Sequence, residues 1–321
     1  MPWLVIAVSG GALSAVFMAG LTAPSLFSLV IFFLVSAPLF MVGLAFGWPA
    51  AAIGALSALV VLAIMLGPKA ALMHALLAGA PAAWLSHLAR QHRPAAGGME
   101  GEPADATGNE WYPEGRLLLW MAGLAAAATA ISLLTQGQTL PEIQAALKHL
   151  AERGMRATGL AAELSAEQRA QFLMAFVKMA PLGAAVMWLL SLWAGFRLAD
   201  ALARRFGLSA RPPSRFARLA FPRTALLGLA GLSLAALLPG LPGLIGEIFA
   251  VAFMAAFAIL GLAVVHTWVE NQPWRPVALG MLYAALLTLT GLVGPLLLLI
   301  GLAEAGFGIR GLWRGPTDGR S

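Results

Sequence analysis

The sequence predicts an all-α protein, a polytopic bundle of transmembrane helices. The 321-residue chain is 60% hydrophobic and only 11% charged, with a mean hydropathy of +0.84, which is typical of integral membrane proteins. Apolar runs of helix length follow one another, separated by short turns that are rich in proline, glycine and tryptophan. A helix needs about 20 apolar residues to cross about 30 Å of hydrocarbon, so these runs are predicted spans.

The candidate spans number eight or nine. They cover residues 3–21, 26–46, 49–66, 70–88, 117–134, 172–196, 224–238, 244–266 and 277–302. The first four form a predicted four-helix membrane core over 1–90, and the last three form a C-terminal group over 224–303. The run 224–238 is short and is followed by Pro239-Gly240-Leu241-Pro242-Gly243. It is therefore either a tilted span or a re-entrant half-helix.

Two polar segments flank the fifth span, which occupies 116–135. The first, 91–115, is rich in glycine, proline and carboxylates, so we expect a flexible loop. Its acidic residues could bind a divalent cation, although a solvated linker is the favoured interpretation; they are Glu100, Glu102, Asp105, Glu110 and Glu114. In the second, 136–171, Thr139 and Glu142 have capping-box spacing, and Ile143, Leu147 and Leu150 recur at helical spacing. This pattern predicts a short amphipathic helix that lies on the outer surface or over the bundle. A second capping box, Ser165 with Gln168, begins the helix of the next span, over 172–197.

The arginines predict the orientation. Seven lie in the basic connection that leads through 198–223: Arg197, Arg204, Arg205, Arg211, Arg215, Arg218 and Arg223. Because positive residues favour the cytoplasmic side, this connection, the 91–115 loop and the N-terminus are predicted to be cytoplasmic, in a bacterial inner membrane. With nine spans the polar tail, 304–321, would lie outside despite its arginines, and with eight it would lie inside. We favour eight full crossings and one irregular segment.

Ionisable residues inside apolar segments are the best candidates for a site, because burying them is costly unless they are paired or face a cavity. Four are predicted to lie at similar depth in the outer third: Lys69, His74, Lys178 and Glu247. They suggest an outward-facing ligand pocket in which the lysines attract an anionic group. Each has a simpler explanation: Lys178 could extend to the headgroups, Glu247 suits a helix N-terminus, and His74, like His266, could be a hydrogen-bonded interior histidine.

Several motifs of known chemistry are missing from the sequence. It has no phosphate-binding G-x-x-x-x-G-K-[ST] motif, no H-E-x-x-H motif and no cysteine, so no ATPase of its own, metal site or cofactor is predicted. The nearest approach to an intramembrane serine protease is Gly231-Leu232-Ser233 with the distant His266, and this tripeptide is common. We predict that the chain is not an enzyme. The net charge of +6 is interpreted as attraction to anionic headgroups and not to nucleic acid.

The N-terminal layout resembles the substrate-binding (S) components of energy-coupling-factor vitamin transporters. The matching residues are Ser14-Ala15, Ala37-Pro38-Leu39-Phe40, Gly43-Leu44-Ala45-Phe46-Gly47-Trp48 and Gly67-Pro68-Lys69-Ala70-Ala71. Over its whole length the chain is more similar to the YybS-like predicted membrane proteins, a bacterial family of unknown function. That similarity rests on Arg211-Pro212-Pro213-Ser214-Arg215-Phe216, Phe221-Pro222-Arg223 and Gly261-Leu262-Ala263-Val264-Val265-His266.

The resemblance implies an S-component-like core that binds a small molecule in an outward-facing pocket and relies on partner ATPases. S components dock their scaffold subunit through alanines at regular spacing, which Ser14 to Met18 does not keep. The leading hypothesis is a protein that binds or transports a small solute, with the lipid bilayer and membrane or ATPase proteins as partners. The alternative is a scaffold for cell-envelope or division proteins that uses its basic segment.

Overall fold

The structure, a computed structural model, describes residues 2–22, 26–94 and 108–313. It confirms an all-α polytopic bundle. Among these residues, eight stretches of helix are long and apolar enough to cross a membrane: Pro2–Gly20, Phe27–Phe46, Trp48–Leu66, Pro68–Ala89, Glu114–Leu134, Ala166–Arg205, Gly240–Trp268 and Thr290–Phe307. Two shorter apolar helices, Thr224–Ala235 and Arg275–Thr288, accompany them.

The N-terminal helices are α1 (Pro2–Gly20), α2 (Leu26–Leu34), α3 (Ala37–Phe46), α4 (Trp48–Leu66), α5 (Pro68–His74) and α6 (Ala80–Ala89). A π-helical segment, Ala75–Gly79, joins α5 to α6. The short strands β1 (His92–Pro94) and β2 (Asn109–Trp111) then pair antiparallel, with His92 opposite Trp111. Both strands lie within the predicted 91–115 loop, and the part of that loop between 95 and 107 lies outside the described residues.

The remaining helices are α7 (Glu114–Leu134), α8 (Leu140–Ala157), α9 (Leu160–Glu163), α10 (Ala166–Arg205), α11 (Thr224–Ala235), α12 (Gly240–Trp268), α13 (Arg275–Thr288), α14 (Thr290–Phe307) and α15 (Arg310–Trp313), with a 3₁₀ turn at Phe216–Arg218. The long α10 packs against α3, α7, α8 and α12. Phe196 of α10 meets Phe40 of α3 edge to face, at a ring separation of 5.6 Å, and both rings are fully buried. The core therefore lies around α10.

One end of the bundle collects the basic connection, and we call it the arginine end. There, the carbonyl of Ala217 accepts hydrogen bonds from Thr267, at the end of α12, and from Arg310, just beyond α14, at 2.7 and 2.8 Å. The N-terminus of α7 lies at the same end, because Glu114 pairs with Arg197 of α10. In α1, Ala7 and Gly11 meet Gly54 of α4, which runs parallel to α1. The start of α4 lies beside Arg90, from which the β-hairpin leads directly to the start of α7. The described chain therefore begins and ends at the arginine end.

The prediction of a single span over 277–302 is wrong. The chain breaks at Leu289, whose backbone angles are φ −121° and ψ 38°, so α13 and α14 are separate helices. The break falls in Thr288-Leu289-Thr290-Gly291, whose threonines and glycine are weak helix formers. The hydroxyls of Thr288 and Thr290 also donate to carbonyls of the preceding turn, which disturbs helical geometry. The short helices α11 and α13 each return the chain along the bundle, and this brings the segment after α14 to the arginine end.

The sixth span also differs from its predicted end at residue 196, because α10 continues to Arg205. The extension contains Arg197, Arg204 and Arg205, which were assigned to a connection or its edge. Arg204 forms an ion pair with Asp200 one turn earlier, and such i,i+4 pairs favour a helix. The basic connection is therefore helical at its start and irregular only afterwards.

The amphipathic helix predicted in the 136–171 insert is present as α8. Its buried face consists of Ile143, Leu147, Ala151 and Met155, and it packs on α10. Leu150, which was predicted on the apolar face, is exposed. The inward stripe therefore follows i,i+4 spacing from Ile143, and Leu150 falls outside it.

Candidate functional site

A cavity of about 770 Å³ lies at the end of the bundle opposite to the arginine end. One side of α8, the first turns of α10 and the connection between α11 and α12 line it. Most of its wall is apolar and includes Ile143, Leu173, Val177 and Leu244. Small-molecule sites commonly have volumes of about 300–1,000 Å³ and mostly apolar walls with a few polar groups. The size and lining of this cavity fit that description.

Two capping boxes begin the helices that carry its cations. The hydroxyl of Thr139 accepts a hydrogen bond from the backbone N–H of Glu142, and the hydroxyl of Ser165 accepts one from the N–H of Gln168. Backbone N–H groups of Gln138 and Thr139 donate to the carboxylate of Glu142 and lower its pKa. Both boxes were predicted, and both are present. They set where α8 and α10 begin and hence the positions of Lys148 and Lys178.

The part of the cavity wall that the α11–α12 connection forms depends on two glycines in that tight connection. Gly240 has a φ of +72°, in the left-handed region that favours glycine. A Cβ atom at Gly243 would lie 1.9 Å from the carbonyl oxygen of Leu238, so only glycine permits this approach. The turn holds the end of α11 against the start of α12, and this brings Glu247, two turns into α12, to the cavity.

The charged groups around the cavity are two cations and one anion. Lys148 and Lys178 are exposed, Glu247 is partly exposed, and all three line the cavity together with the amide of Gln144. Within the part of the chain that the structure describes, no ion pair joins either lysine to Glu247. Ammonium and carboxylate groups beside an apolar wall suit a solute that has a charged head and an apolar body.

The structure brings together two of the four predicted site residues and separates the other two. Lys178 and Glu247 line the cavity. Lys69 is exposed at the N-terminus of α5, and His74 is fully buried at its other end. Neither Lys69 nor His74 lines this cavity. A ligand role for Lys178 and Glu247 stays a prediction.

Lys148 and Gln144 were not predicted as site residues. They lie one turn apart on α8, next to the buried stripe of Ile143 and Leu147. Their i,i+4 spacing beside an apolar stripe was visible in the sequence. That pattern is also typical of any surface helix, and nothing in the sequence shows that α8 covers the start of α12.

His74 belongs to a separate buried cluster with Ser14. The Ser14 hydroxyl donates to the carbonyl of Val35 at 2.6 Å, and its oxygen lies 2.8 Å from Nε2 of His74. A hydroxyl has one proton, which is used for Val35, so Nε2 of His74 carries the hydrogen and donates to Ser14. In this arrangement His74 does not act as a base towards Ser14. The cluster joins α1, the break between α2 and α3, and α5 directly before the π-helical segment.

We expect Ser14→Ala to destabilise the protein, because it leaves the Val35 carbonyl and His74 Nε2 without this partner. An unsatisfied buried polar group costs about 1–3 kcal/mol. Ser9→Ala is the control: Ser9 lies on the same helix and is exposed, so its loss should change the free energy of unfolding by less than about 0.5 kcal/mol. Thermal unfolding in detergent compares the two variants, and equal midpoints would contradict the role given to Ser14.

The seven predicted patch arginines divide into internal and exposed groups. Arg197 donates to both carboxylate oxygens of the buried Glu114 at 3.0 and 3.1 Å, and to the hydroxyl of Ser214. Arg204 pairs with Asp200, and Arg211 is buried. The exposed members are Arg205, Arg215, Arg218 and Arg223. The patch is therefore only partly available to a partner.

The acidic residues of the 91–115 loop also separate. Glu110 pairs with Arg93 across the β-hairpin, and Glu114 pairs with Arg197. Glu100, Glu102 and Asp105 lie outside the described residues. Among residues 2–22, 26–94 and 108–313, no group of three or more histidine or carboxylate side chains is arranged to bind a metal ion.

His266, the distant histidine considered for a protease, has other partners. Its Nδ1 lies 2.9 Å from the carbonyl of Leu262, and its Nε2 lies 3.2 Å from the hydroxyl of Tyr283. These contacts link the end of α12 to α13. They fit the interpretation of a hydrogen-bonded interior histidine.

Comparison with known proteins gives a family and no characterised relative. The family model that matches is described as a predicted membrane protein (DUF2232), and it covers residues 116–304. This range includes α8, α10, α11 and α12 and all the residues that line the cavity. No curated protein and no solved structure matches the chain.

Proposed function

We propose that this chain, which belongs to the DUF2232 family of predicted membrane proteins, binds a small solute in the cavity between α8, α10 and α12. The observation that supports this proposal is the set of charged groups on its wall: Lys148, Lys178 and Glu247 line the same space without an ion pair among the described residues. These three groups are accessible from the cavity, so a bound solute with opposite charges would pair with them.

The wall suggests the chemistry of the solute. Two lysines against one glutamate leave a net positive charge, which favours a molecule with a carboxylate or phosphate group. Glu247 could hold a cationic group of the same molecule, and its apolar part would lie against Ile143, Leu173 and Val177. A small anionic or zwitterionic amphiphile meets these requirements. The binding needs no catalytic step, and we propose that the protein is not an enzyme.

The side that the cavity faces follows from the arginines. If the arginine end is cytoplasmic, as positive residues favour, the cavity opens to the outside of a bacterial inner membrane. Any transport would then draw energy from a partner or a gradient, because the chain has no phosphate-binding motif of its own. The S-component resemblance of the first spans agrees with such a role. Docking of a scaffold subunit through Ser14 and Ala15 is disfavoured, because both residues are fully buried.

The proposal is tested by mass spectrometry of small molecules that copurify with the protein in mild detergent. We expect the wild type to retain a specific anionic or zwitterionic molecule and Lys178→Gln to lose most of it, because a hydrogen bond to a charged group is worth about 1.5–3 kcal/mol, or roughly tenfold or more in affinity. Lys69→Gln is the matched control, since Lys69 is an exposed lysine outside the cavity.

Equal retention by Lys178→Gln and the wild type would contradict the proposed site. If the wild type retains nothing specific, and a protein partner is lost when Arg205 and Arg215 are changed to alanine, the scaffold alternative is favoured. These two arginines are the informative ones because both are exposed and neither is tied into the buried pairs.

A further inference from the structure

A second cavity, of about 450 Å³, lies at the arginine end between the start of α7, the segment before α11 and the end of α14. Three exposed arginines line it: Arg116, Arg218 and Arg223. They come from separate parts of the chain. Arg116 lies in the first turn of α7, Arg218 in the 3₁₀ turn and Arg223 directly before α11. The fold therefore collects three positive charges around one space.

The acids in the same wall do not neutralise these arginines. Glu114 pairs with Arg197 at 3.0 Å, and Glu304 pairs with Arg310 at 3.2 Å. Within 2–22, 26–94 and 108–313, no ion pair or side-chain hydrogen bond is formed by Arg116, Arg218 or Arg223. Because each acid already has its own arginine, the described wall carries three uncompensated positive charges.

A groove of about 380 Å³ continues from this cavity along the bundle. The two spaces share Arg116 and Pro222 in their walls. Beyond them the groove is apolar, lined by Leu119, Trp120 and Phe253. A Cβ atom at Gly123 would meet no other atom within 4 Å, so the groove is open at that point.

An aromatic pair stands where the cationic and apolar parts meet. Trp120 is 44% exposed, and its indole N–H donates to the hydroxyl of Tyr112 at 3.1 Å. Both residues line the groove. Tryptophan and tyrosine are enriched at the level of lipid headgroups, so the cationic cavity lies on the headgroup side and the groove on the acyl side.

We infer that the cavity lined by Arg116, Arg218 and Arg223 binds the phosphate of an anionic phospholipid, with one acyl chain in the groove beside Gly123. Guanidinium groups form strong charge-assisted bonds to phosphate oxygens, and basic pockets between membrane helices suit anionic headgroups. An apolar groove that begins beside one of these cations, Arg116, fits a ligand with a phosphate and an attached hydrocarbon chain. A free phosphate would use the first cavity alone.

The test measures binding by native mass spectrometry of the full chain in detergent, with three probes: phosphatidylglycerol, phosphatidylcholine of the same chain length, and inorganic phosphate. We expect phosphatidylglycerol to bind at least about tenfold more tightly than phosphatidylcholine. Arg218→Gln with Arg223→Gln should weaken phosphatidylglycerol binding by about tenfold or more, because it removes two charged hydrogen-bond donors. Arg205→Gln with Arg215→Gln is the matched control, since these exposed arginines lie at the same end and outside the cavity.

Gly123→Leu tests the acyl groove without removing a charge. The position has open space and lies within a helix, so leucine should keep the fold and fill the groove. We expect weaker binding of phosphatidylglycerol and an unchanged thermal midpoint. Equal binding of both lipids, or equal losses in the two double-arginine variants, would overturn the inference. Binding of inorganic phosphate as tight as that of phosphatidylglycerol, with no effect of Gly123→Leu, would overturn the lipid assignment in favour of a free anion.

Discussion

Gly261→Leu is expected to separate α12 from α14 and to cause one of the largest losses of stability that a single substitution can produce in this chain. A Cβ atom at Gly261 would lie 1.9 Å from the carbonyl oxygen of Leu297, and one at Gly301 would lie 1.9 Å from that of Phe257. The neighbouring atoms belong to helix backbones, which cannot move aside as a flexible side chain can. Overpacking usually costs about 1–3 kcal/mol, and a backbone clash should cost more than about 3 kcal/mol. Chemical unfolding in detergent measures the change.

Gly280→Leu provides the matched control for that experiment. Gly280 also lies inside an apolar helix, α13, but a Cβ atom there meets no other atom within 4 Å. The added side chain should therefore be tolerated, so the two variants separate a specific clash from a general effect of glycine replacement. Unfolding of Gly261→Leu at the same denaturant concentration as Gly280→Leu would contradict the close crossing of α12 and α14.

Glu114→Ala is expected to release the basic connection from the bundle. Glu114 is 2% exposed, and its carboxylate binds Arg197, whose side chain is 27% exposed, together with the hydroxyl of Ser214. Removal of one partner from a buried ion pair costs about 3–5 kcal/mol. Because Arg197 is partly exposed, we expect a loss at the lower end of that range, about 3 kcal/mol. Thermal unfolding should show the loss, and limited proteolysis should show faster cleavage between Arg205 and Arg223.

Glu110→Ala is the control, because Glu110 also pairs with an arginine near the same end of the bundle. Its partner, Arg93, is 61% exposed, and exposed pairs contribute only about 0–1 kcal/mol. Glu114→Gln should fall between these two variants, since an amide oxygen still accepts hydrogen bonds from Arg197. Equal stability and equal cleavage in Glu114→Ala and Glu110→Ala would show that the buried pair does not anchor the connection.

Much of the fold was predictable because its signals are local. Apolar length identified the spans, and the capping boxes at Thr139 and Ser165 placed the starts of α8 and α10. The break at Leu289 was missed because the run 277–302 is apolar overall. A Thr-Leu-Thr-Gly segment hardly lowers the hydropathy of such a run, although it weakens the helix. The true end of α10 was also missed, since charged residues such as Asp200 and Arg204 end a hydrophobic run without ending a helix.

For the candidate site, the depth of a residue in the membrane could be predicted from the sequence, but the direction of its side chain could not. Depth in the membrane follows from the number of residues from a helix end, so Lys69, His74, Lys178 and Glu247 could be placed at similar heights. The direction in which each helix faces depends on its neighbours. Lys178 and Glu247 line the same cavity because α8 and the glycine turn at Gly243 enclose the space between α10 and α12. His74 instead faces Ser14 of α1, and Lys69 faces outward.

By itself the sequence determined that this protein is an all-α membrane protein, where α8 and α10 begin, and where its charges lie along the chain. These properties depend on interactions between neighbouring residues and on the free energy of transferring each side chain from water to hydrocarbon. Both can be read from the local sequence. Only the tertiary structure decided which arginines are used internally, which charged residues share a cavity, and at which end of the bundle the described residues finish. Those outcomes depend on contacts between residues distant in sequence, such as Glu114 with Arg197 and Gly261 with Leu297, and these contacts form only when the helices pack together.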